Sequence, residues 1–225
     1  MPFYNTIYAF PKPKMVEQIE MDLSYITFLS VGTLTTAKGQ DNVCQFMEAI
    51  LGGCTKKVRW ICVGRGPMHE QITAIAGELE REYKNFTFVY LPKVEFAEMQ
   101  YLYSIADIYI MLHRIAVFDL ATLEAMKQSC AVILSPVGGN LELNVSGNIV
   151  YSNSDMKELL ALLDDEKLSV MKEKNRDAYE TYFSEHCFRE RYESLILQTI
   201  EMINQKKQGD VEERYILAVR NTHTI

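Results

Sequence analysis

Lys38 and Glu124 are the two charged residues whose surroundings best suit a ligand site. Lys38 stands at the predicted start of a helix, a few residues beyond an apolar strand. There its ammonium group would lie against a phosphate, although a solvated lysine is the alternative. Glu124 lies in the otherwise uncharged run from Leu120 to Met126, which predicts a largely buried helix. A buried carboxylate needs a partner, either a ligand hydroxyl or an internal arginine or backbone group.

Three glycine-bearing loops follow predicted strands: Gly32, the Gly64-x-Gly66 pair and the Gly138-Gly139 pair. A single glycine after a strand is often only a tight turn. Three at the same edge of one sheet indicate a backbone that a bulky ligand approaches closely. The second loop lacks the third glycine of a dinucleotide fingerprint, because His69 stands in its place. A nicotinamide-dependent dehydrogenase is therefore not favoured.

The helix predicted to begin at Asp119 offers unpaired N–H groups and the positive end of its dipole to an anion. Asp119 stands where the N-cap residue of this helix belongs. His113 on the preceding loop is a further candidate, whereas His69, His186 and His223 are predicted to be surface histidines. No Cys/His cluster has metal-ligand spacing, and the signatures of zinc proteases, serine hydrolases and P-loops are absent. No metal is predicted.

Short apolar segments alternate with segments of helical period from residue 25 onward. This alternation predicts an α/β fold, a doubly wound parallel sheet of about six strands with helices on both faces. Such a sheet builds its ligand crevice at the carboxyl ends of its strands. The predicted strands are Tyr25–Val31, Val58–Val63, Phe86–Leu91, Ile108–Leu112, Ala131–Leu134 and Asn148–Tyr151.

Helices are predicted between these strands and throughout the C-terminal part of the chain. The first 22 residues hold three of the six prolines and show no clear period, so we predict a linker or arm over 1–22. A Rossmann-like domain over 23–206 and a tail over 207–225 follow. The predicted helices are Lys38–Leu51, Pro67–Glu82, Glu95–Ile105, one opening at Asp119, Met156–Leu163, Glu166–Tyr182 and Glu185–Asn204.

Composition narrows the class of protein. The chain has 225 residues, 48% of them hydrophobic, which suffices for an ordinary core. Its net charge of -7 argues against a nucleic-acid partner. No apolar run reaches the ~18 residues of a membrane span. The five scattered cysteines predict reduced thiols. We expect a cytoplasmic protein, with peripheral attachment to the inner face of the membrane left open.

Five motifs between about Phe28 and Val150 resemble, in order and spacing, the C-terminal, donor-binding domain of GT-B retaining glycosyltransferases of the group one or family-four class. That family carries V-G-R-L-x-x-x-K-G-x-D, V-G-x-G-P, L-Y-x-x-A-D, E-G-F-G-L…L-E-A-M and V-G-G-x-x-E. The resemblance implies a single GT-B half. The corresponding stretches here are VGTL…KGQD at 31–41, VGRGP at 63–67, YLYSIAD at 101–107, FDL…LEAM at 118–126 and VGGNLE at 137–142.

The resemblance implies roles for the matched positions only. Lys38 and the backbone N–H groups around Phe118, Asp119 and Leu120 would bind the diphosphate of a nucleotide sugar of UDP or GDP type. Glu124 matches the second carboxylate of the family's E-x7-E motif and would hold the ribose. No further cofactor is implied. The leaving diphosphate would stabilise an oxocarbenium-like state, itself neutralised by Lys38 and the helix N-terminus.

Some of the other matched positions agree with the family's pattern, and others differ from it. Gly32 would let the sugar and phosphates come close, and Lys93 and Val94 lie on the loop where the family meets the nucleobase. Thr33 replaces the family's phosphate-binding arginine, and His113 replaces its usual serine.

The sugar-side motif departs most from the family. The first glutamate of E-x7-E, which usually contacts the donor sugar, is Ala116 here. The two loop glycines are Val117 and Asp119. The sugar-side contacts are therefore rebuilt or lost. Asp119 either accepts a hydroxyl group of the sugar or, as we favour, caps its own helix and occupies N–H groups that a diphosphate would use.

A GT-B enzyme has two Rossmann-like halves, and the chain fits one of them. Residues 4–10 look like the family's interdomain linker. The chain is thus predicted to be a piece or a subunit whose acceptor half lies in a missing N-terminal domain or a partner. We expect a donor half that transfers a hexose, with retention, to a glycan or lipid-linked acceptor in polysaccharide biosynthesis. The alternative is a non-catalytic glycosyltransferase-like binding module.

Overall fold

The computed structural model describes residues 6–7, 10–17 and 19–222, with side chains as far as residue 206. Its six strands form one sheet in the order β3-β2-β1-β4-β5-β6, and every neighbouring pair is parallel. The predicted six-stranded parallel sheet is confirmed. The strands are β1 Tyr25–Val31, β2 Lys57–Val63, β3 Phe86–Leu91, β4 Ile108–Met111, β5 Ala131–Leu134 and β6 Ile149–Tyr151.

Helices cover both faces of the sheet and extend beyond it at the C-terminal end. A 3₁₀ turn, Gly138–Leu143, follows β5, and a π-helical turn, Tyr179–Phe183, separates the last two helices. The helices are α1 Gln40–Leu51, α2 His69–Glu82, α3 Phe96–Ile105, α4 Leu120–Lys127, α5 Met156–Ala161, α6 Asp165–Ala178 and α7 Glu185–Thr222.

Two apolar clusters form the core, one on each face of the sheet. Successive strand residues point to opposite faces, so Phe28 belongs to one cluster and Leu29 to the other. Trp60 and Ile61 divide in the same way in β2. Because both faces are covered, these strands read as continuous apolar runs rather than as alternating ones.

The two ends of the chain differ from the sequence-based expectation. Ile7, Val16 and Ile19, in the predicted arm, are buried in the cluster that contains Leu29. Their irregular spacing gave no periodic signal. Helix α7 begins at the predicted Glu185 but continues to Thr222, through most of the predicted tail. That stretch has no proline and is rich in good helix formers.

The strand order reverses between β1 and β4, which are neighbours in the sheet. The loops that leave their carboxyl ends therefore diverge to opposite sides and leave a crevice between them. Lys38 lies on the loop after β1, and His113 and Asp119 lie on the loop after β4. The topology thus brings together candidate residues about 80 positions apart.

Candidate functional site

Arg114 joins the two loops of the crevice. Its guanidinium donates two hydrogen bonds of 2.7 Å to the Asp41 carboxylate, and its backbone N–H donates to the carbonyl of Ala37 at 2.9 Å. Such a two-point pair fixes orientation as well as distance. Arg114 thereby positions the turn that carries Lys38. Arg114 could not be recognised from the sequence, since nothing in its spacing distinguishes it from a surface arginine.

Lys38 lies in a turn two residues before α1 rather than in the helix, so the predicted helix start is wrong. Its Nζ atom is 3.5 Å from Oδ1 of Asp119 and 3.4 Å from Nε2 of His113. The side chain is 36% exposed, so the ammonium group faces the crevice as part of a polar cluster. It is not the solvated helix-start lysine of the alternative interpretation.

Asp119 occupies the N-cap position of α4, but its side chain makes no capping hydrogen bond. Its Oδ2 atom accepts hydrogen bonds from the hydroxyls of Tyr109 at 2.9 Å and Thr122 at 2.8 Å, while Oδ1 faces Lys38. The favoured capping interpretation is therefore wrong: three side chains hold the carboxylate away from the backbone. As a consequence, the carboxylate does not occupy the first N–H groups of α4.

The carboxylate of Glu124 is paired with a phenol, since Tyr103 donates a hydrogen bond of 2.7 Å to Oε2. This partner is neither the arginine nor the backbone group expected as internal alternatives. Burial raises the pKa of this carboxyl group. The rings of Tyr103 and Tyr109 lie 6.3 Å apart, so the two tyrosines connect Glu124 to Asp119 and Lys38. Sequence periodicity does not reveal such a connection, because both tyrosines belong to apolar elements.

Replacement of Glu124 by glutamine is expected to stabilise the fold above the carboxyl group's ordinary pKa of 4.5. The raised pKa means that the folded state binds the proton more tightly, so stability is lost as pH rises through the folded pKa. Glutamine keeps an acceptor for Tyr103 and carries no charge. Urea denaturation across pH should show the gain at neutral pH and its disappearance below 4.5. A gain that does not depend on pH would contradict this account.

Three buried polar atoms near this edge have no hydrogen-bond partner among the described residues: Oε1 of Gln40, Nδ1 of His113 and Oδ1 of Asn140. Their side chains are otherwise anchored, since Gln40 donates to the Thr33 carbonyl at 3.2 Å and Asn140 to the Ser135 carbonyl at 2.9 Å. Burial lowers the pKa of His113. Buried polar atoms are normally paired, so this concentration is typical of a site that a ligand or ordered water completes.

Most of the loop glycines serve contact between loops. A Cβ atom at Gly64 would lie 1.9 Å from the carbonyl oxygen of Gly32, and one at Gly138 would lie 2.0 Å from that of Ala116. In these two loops glycine is required by contact between backbones, and close approach of a ligand stays a prediction. Gly32 differs, because its nearest neighbour would be the Met111 side chain at 3.5 Å. A Cβ atom there would make only ordinary van der Waals contacts, one of them with the Lys38 side chain at 3.8 Å.

The other residues predicted for the site lie along the same edge but make fewer contacts. Thr33 is exposed, Phe118 is half-buried and Leu120 is 46% exposed. On the loop after β3, Lys93 is exposed and Val94 packs partly against the core. Their proposed roles in donor and nucleobase binding remain predictions.

The remaining histidines differ in their exposure to solvent. His186 is exposed as predicted, but His69 is half-buried and stacks on Tyr90 with ring centroids 4.5 Å apart. His223 lies outside the described residues.

All five cysteines are free, as predicted. Within the described part of the chain, no three His, Cys, Asp or Glu side chains group together as a metal site, and no helix is long and apolar enough to cross a bilayer.

A parallel sheet with a crevice at its β1/β4 switch point defines a Rossmann-like ligand-binding domain. Residues 11–180 match the family described as glycosyl transferases group 1, and the chain belongs to that family. This assignment replaces the dehydrogenase alternative. A comparison with curated proteins finds no match to the chain.

Solved structures share the fold at low sequence identity. Sucrose-phosphate synthase from Thermosynechococcus elongatus matches with a TM-score of 0.60 and 20% identity over 78% of this chain and 46% of its own. The glycosyltransferase WaaG, involved in lipopolysaccharide biosynthesis, matches at 0.56 and 17% over 72% and 44%. The E. coli trehalose-6-phosphate structure bound with UDP-2-fluoro glucose matches at 0.58 and 17% over 70% and 41%. The chain thus spans less than half the length of each, as expected of one GT-B half.

Proposed function

We propose that this chain binds the nucleotide sugar of a retaining glycosyltransferase and forms the donor half of a hexosyltransferase site. The observation that carries the proposal is the convergence of Lys38, Gly32 and the N-terminus of α4 at one crevice, with Glu124 connected to them through two tyrosines. The diphosphate would lie against Lys38 and the first N–H groups of α4. The ribose hydroxyls would reach Glu124.

The chemistry requires no side-chain nucleophile on this half. A diphosphate leaves from the anomeric carbon as the sugar acquires oxocarbenium character, and the crevice stabilises the charge that develops on the diphosphate. The acceptor, a glycan or a lipid-linked glycan, would be held by a second Rossmann-like domain. Two similar structures support these assignments. One is bound with UDP-2-fluoro glucose, which supports a nucleotide sugar as the donor, and the other is involved in lipopolysaccharide biosynthesis, which supports a lipid-linked glycan as the acceptor.

Calorimetric titration of the chain with UDP, GDP and their glucose, galactose and mannose conjugates tests this function. We expect one nucleotide series to bind, and Glu124→Ala to weaken that binding by about tenfold or more, because a charge-assisted hydrogen bond is lost. Glu173→Ala, on the exposed part of α6, is the matched control and should bind like the unaltered chain. The proposal fails if nothing in the panel binds, or if both variants bind alike.

A non-catalytic binding module is the second candidate, and a specific observation favours it. The ammonium group of Lys38 already faces the carboxylate of Asp119, so the crevice carries a paired positive charge rather than a free one. Ala116 also provides no carboxylate for the donor sugar. A domain of this kind would keep the fold and serve assembly instead of transfer.

Asp119→Asn separates the two candidates. If the crevice binds a diphosphate, removal of a carboxylate that is 7% exposed and 3.5 Å from Lys38 should raise nucleotide affinity by about tenfold, since one repulsive charge is lost. The amide can still accept hydrogen bonds from Tyr109 and Thr122. Tyr109→Phe removes one of those bonds without changing the charge and serves as the control. If neither the unaltered chain nor either variant binds a nucleotide, the result would favour the non-catalytic module.

A further inference from the structure

Arg65 is an exposed arginine at the carboxyl edge of the sheet, in the loop that follows β2. Within the part of the chain whose side chains are described, no hydrogen bond or ion pair holds its guanidinium group. The cations of the two crevice loops are already paired, Lys38 with Asp119 at 3.5 Å and Arg114 with Asp41 at 2.7 Å. Arg65 therefore adds a positive charge to this edge that no neighbouring carboxylate balances.

Backbone contacts fix the loop of Arg65 against the loop after β1. The N–H group of Leu34 donates a hydrogen bond of 2.9 Å to the Arg65 carbonyl. A Cβ atom at Gly66 would lie 2.2 Å from the Leu34 carbonyl oxygen, so the two backbones are in direct contact. On the other side of the loop, the Tyr90 hydroxyl donates to the Gly64 carbonyl at 2.9 Å. A loop held on both sides presents its arginine from a defined position, which lowers the entropic cost of binding.

The strand order places Arg65 towards the phosphate end of the proposed donor. Strands β2, β1 and β4 are successive neighbours in the sheet, and Arg65, Lys38 and Glu124 follow them in that order. With the ribose at Glu124 and the diphosphate directed towards Lys38, the outer phosphate, which bears the sugar, comes nearest to the loops after β1 and β2. These loops meet beside Lys38, because Gly64 packs on the carbonyl of Gly32, and Gly32 in turn adjoins the Lys38 side chain.

We propose that the guanidinium of Arg65 binds the outer phosphate and makes the site selective for nucleoside diphosphates over monophosphates. This inference rests on the proposed function, because it takes the crevice to bind a nucleotide sugar. The planar fork of an arginine contacts two phosphate oxygens at once. Arg65 gives up no ion pair to make this contact, whereas Lys38 must turn away from Asp119.

Calorimetric titration of Arg65→Ala with UDP, UMP, GDP and GMP tests the assignment. We expect affinity for the preferred diphosphate to fall by about tenfold or more, since a charge-assisted contact is lost. Affinity for the matching monophosphate, measured by competition where it is weak, should change by less than about twofold. Arg81→Ala is the control for net charge: Arg81 is 77% exposed and lies about 18 Å along α2 from His69. This variant should bind both nucleotides like the unaltered chain.

A second substitution tests where the contact is made. Thr33 is exposed on the neighbouring loop, and the residue after it donates the hydrogen bond to the Arg65 carbonyl. Adding Thr33→Arg to Arg65→Ala returns a guanidinium to this place from the other loop. Diphosphate affinity should then recover to within about threefold of the unaltered chain. No recovery, or an equal gain for the monophosphate, would contradict a contact with the outer phosphate.

The possible results separate this inference from the proposed function. Equal losses for diphosphate and monophosphate in Arg65→Ala, or an equal loss in Arg81→Ala, would overturn the role of Arg65. If Arg65→Ala binds like the unaltered chain while Glu124→Ala weakens binding, the donor site stands and this inference alone fails. If the unaltered chain binds no nucleotide, both fail. Circular dichroism of each variant excludes misfolding as the cause of a loss.

Discussion

Lys38→Ala is expected to lower the affinity for a nucleoside diphosphate by about 10- to 100-fold, the usual effect of losing a charge-assisted contact to phosphate. The loss has two parts. The crevice loses the ammonium group that would contact the phosphates, and the carboxylate of Asp119, 3.5 Å away, loses its counter-charge. The altered crevice therefore repels an anion as well as failing to attract it. Calorimetry with the preferred nucleotide measures the change.

The double variant Lys38→Ala, Asp119→Asn separates these two parts. Removing the carboxylate should restore part of the lost affinity, and the difference from additivity measures the coupling between the two residues. Lys84 is an exposed lysine two residues beyond the end of α2, and Lys84→Ala is the control for a simple change in net charge. If Lys84→Ala weakens binding as much as Lys38→Ala does, the effect is one of overall charge and not of the crevice.

Gly139→Ala is expected to destabilise the fold by about 3 kcal/mol or more, at the upper end of the usual cost of overpacking. A Cβ atom there would lie 1.5 Å from the carbonyl oxygen of Val117 and 2.4 Å from its carbonyl carbon. Both are backbone atoms of the crevice loop, so a rotamer change cannot relieve the clash. The loop must move, and nucleotide affinity should fall together with stability. Urea denaturation gives the free energy of unfolding.

Gly77→Ala is the matched control for this substitution. Gly77 lies inside α2, and a Cβ atom there would have nothing within 4 Å beyond the helix's own backbone. Alanine is the better helix former, so this variant should be more stable by up to about 1 kcal/mol. The opposite signs of two identical substitutions make the test specific. Equal effects at both positions would contradict the close packing of the loops.

The sheet could be predicted from the sequence because each strand is a short apolar run bounded by polar or glycine-containing turns. Burial on both faces makes β4 and β5 uniformly apolar, which is a strong signal. The full length of α7 could not be predicted in the same way. Its apolar residues do not keep one continuous stripe along 38 residues, so the periodic signal ended near Asn204.

The site could be predicted only as a location. Lys38, Asp119 and Glu124 can be recognised as candidates because they are charged residues next to strand ends or in an apolar helix. Their hydrogen-bond partners cannot be predicted from the sequence, because Tyr103 and Tyr109 contribute hydroxyl groups from otherwise apolar elements. The N-cap preference for aspartate also misled, since it is a local rule that tertiary contacts with three side chains override here.

A crystal structure of the chain soaked with the preferred nucleoside diphosphate would test the central claim most directly. We predict phosphate oxygens within hydrogen-bond distance of Nζ of Lys38 and of the first N–H groups of α4, with a ribose hydroxyl on the carboxylate of Glu124. The Lys38–Asp119 contact should lengthen from 3.5 Å as the ammonium group turns to the phosphate. A nucleotide bound elsewhere on the domain, with that contact unchanged, would contradict the account.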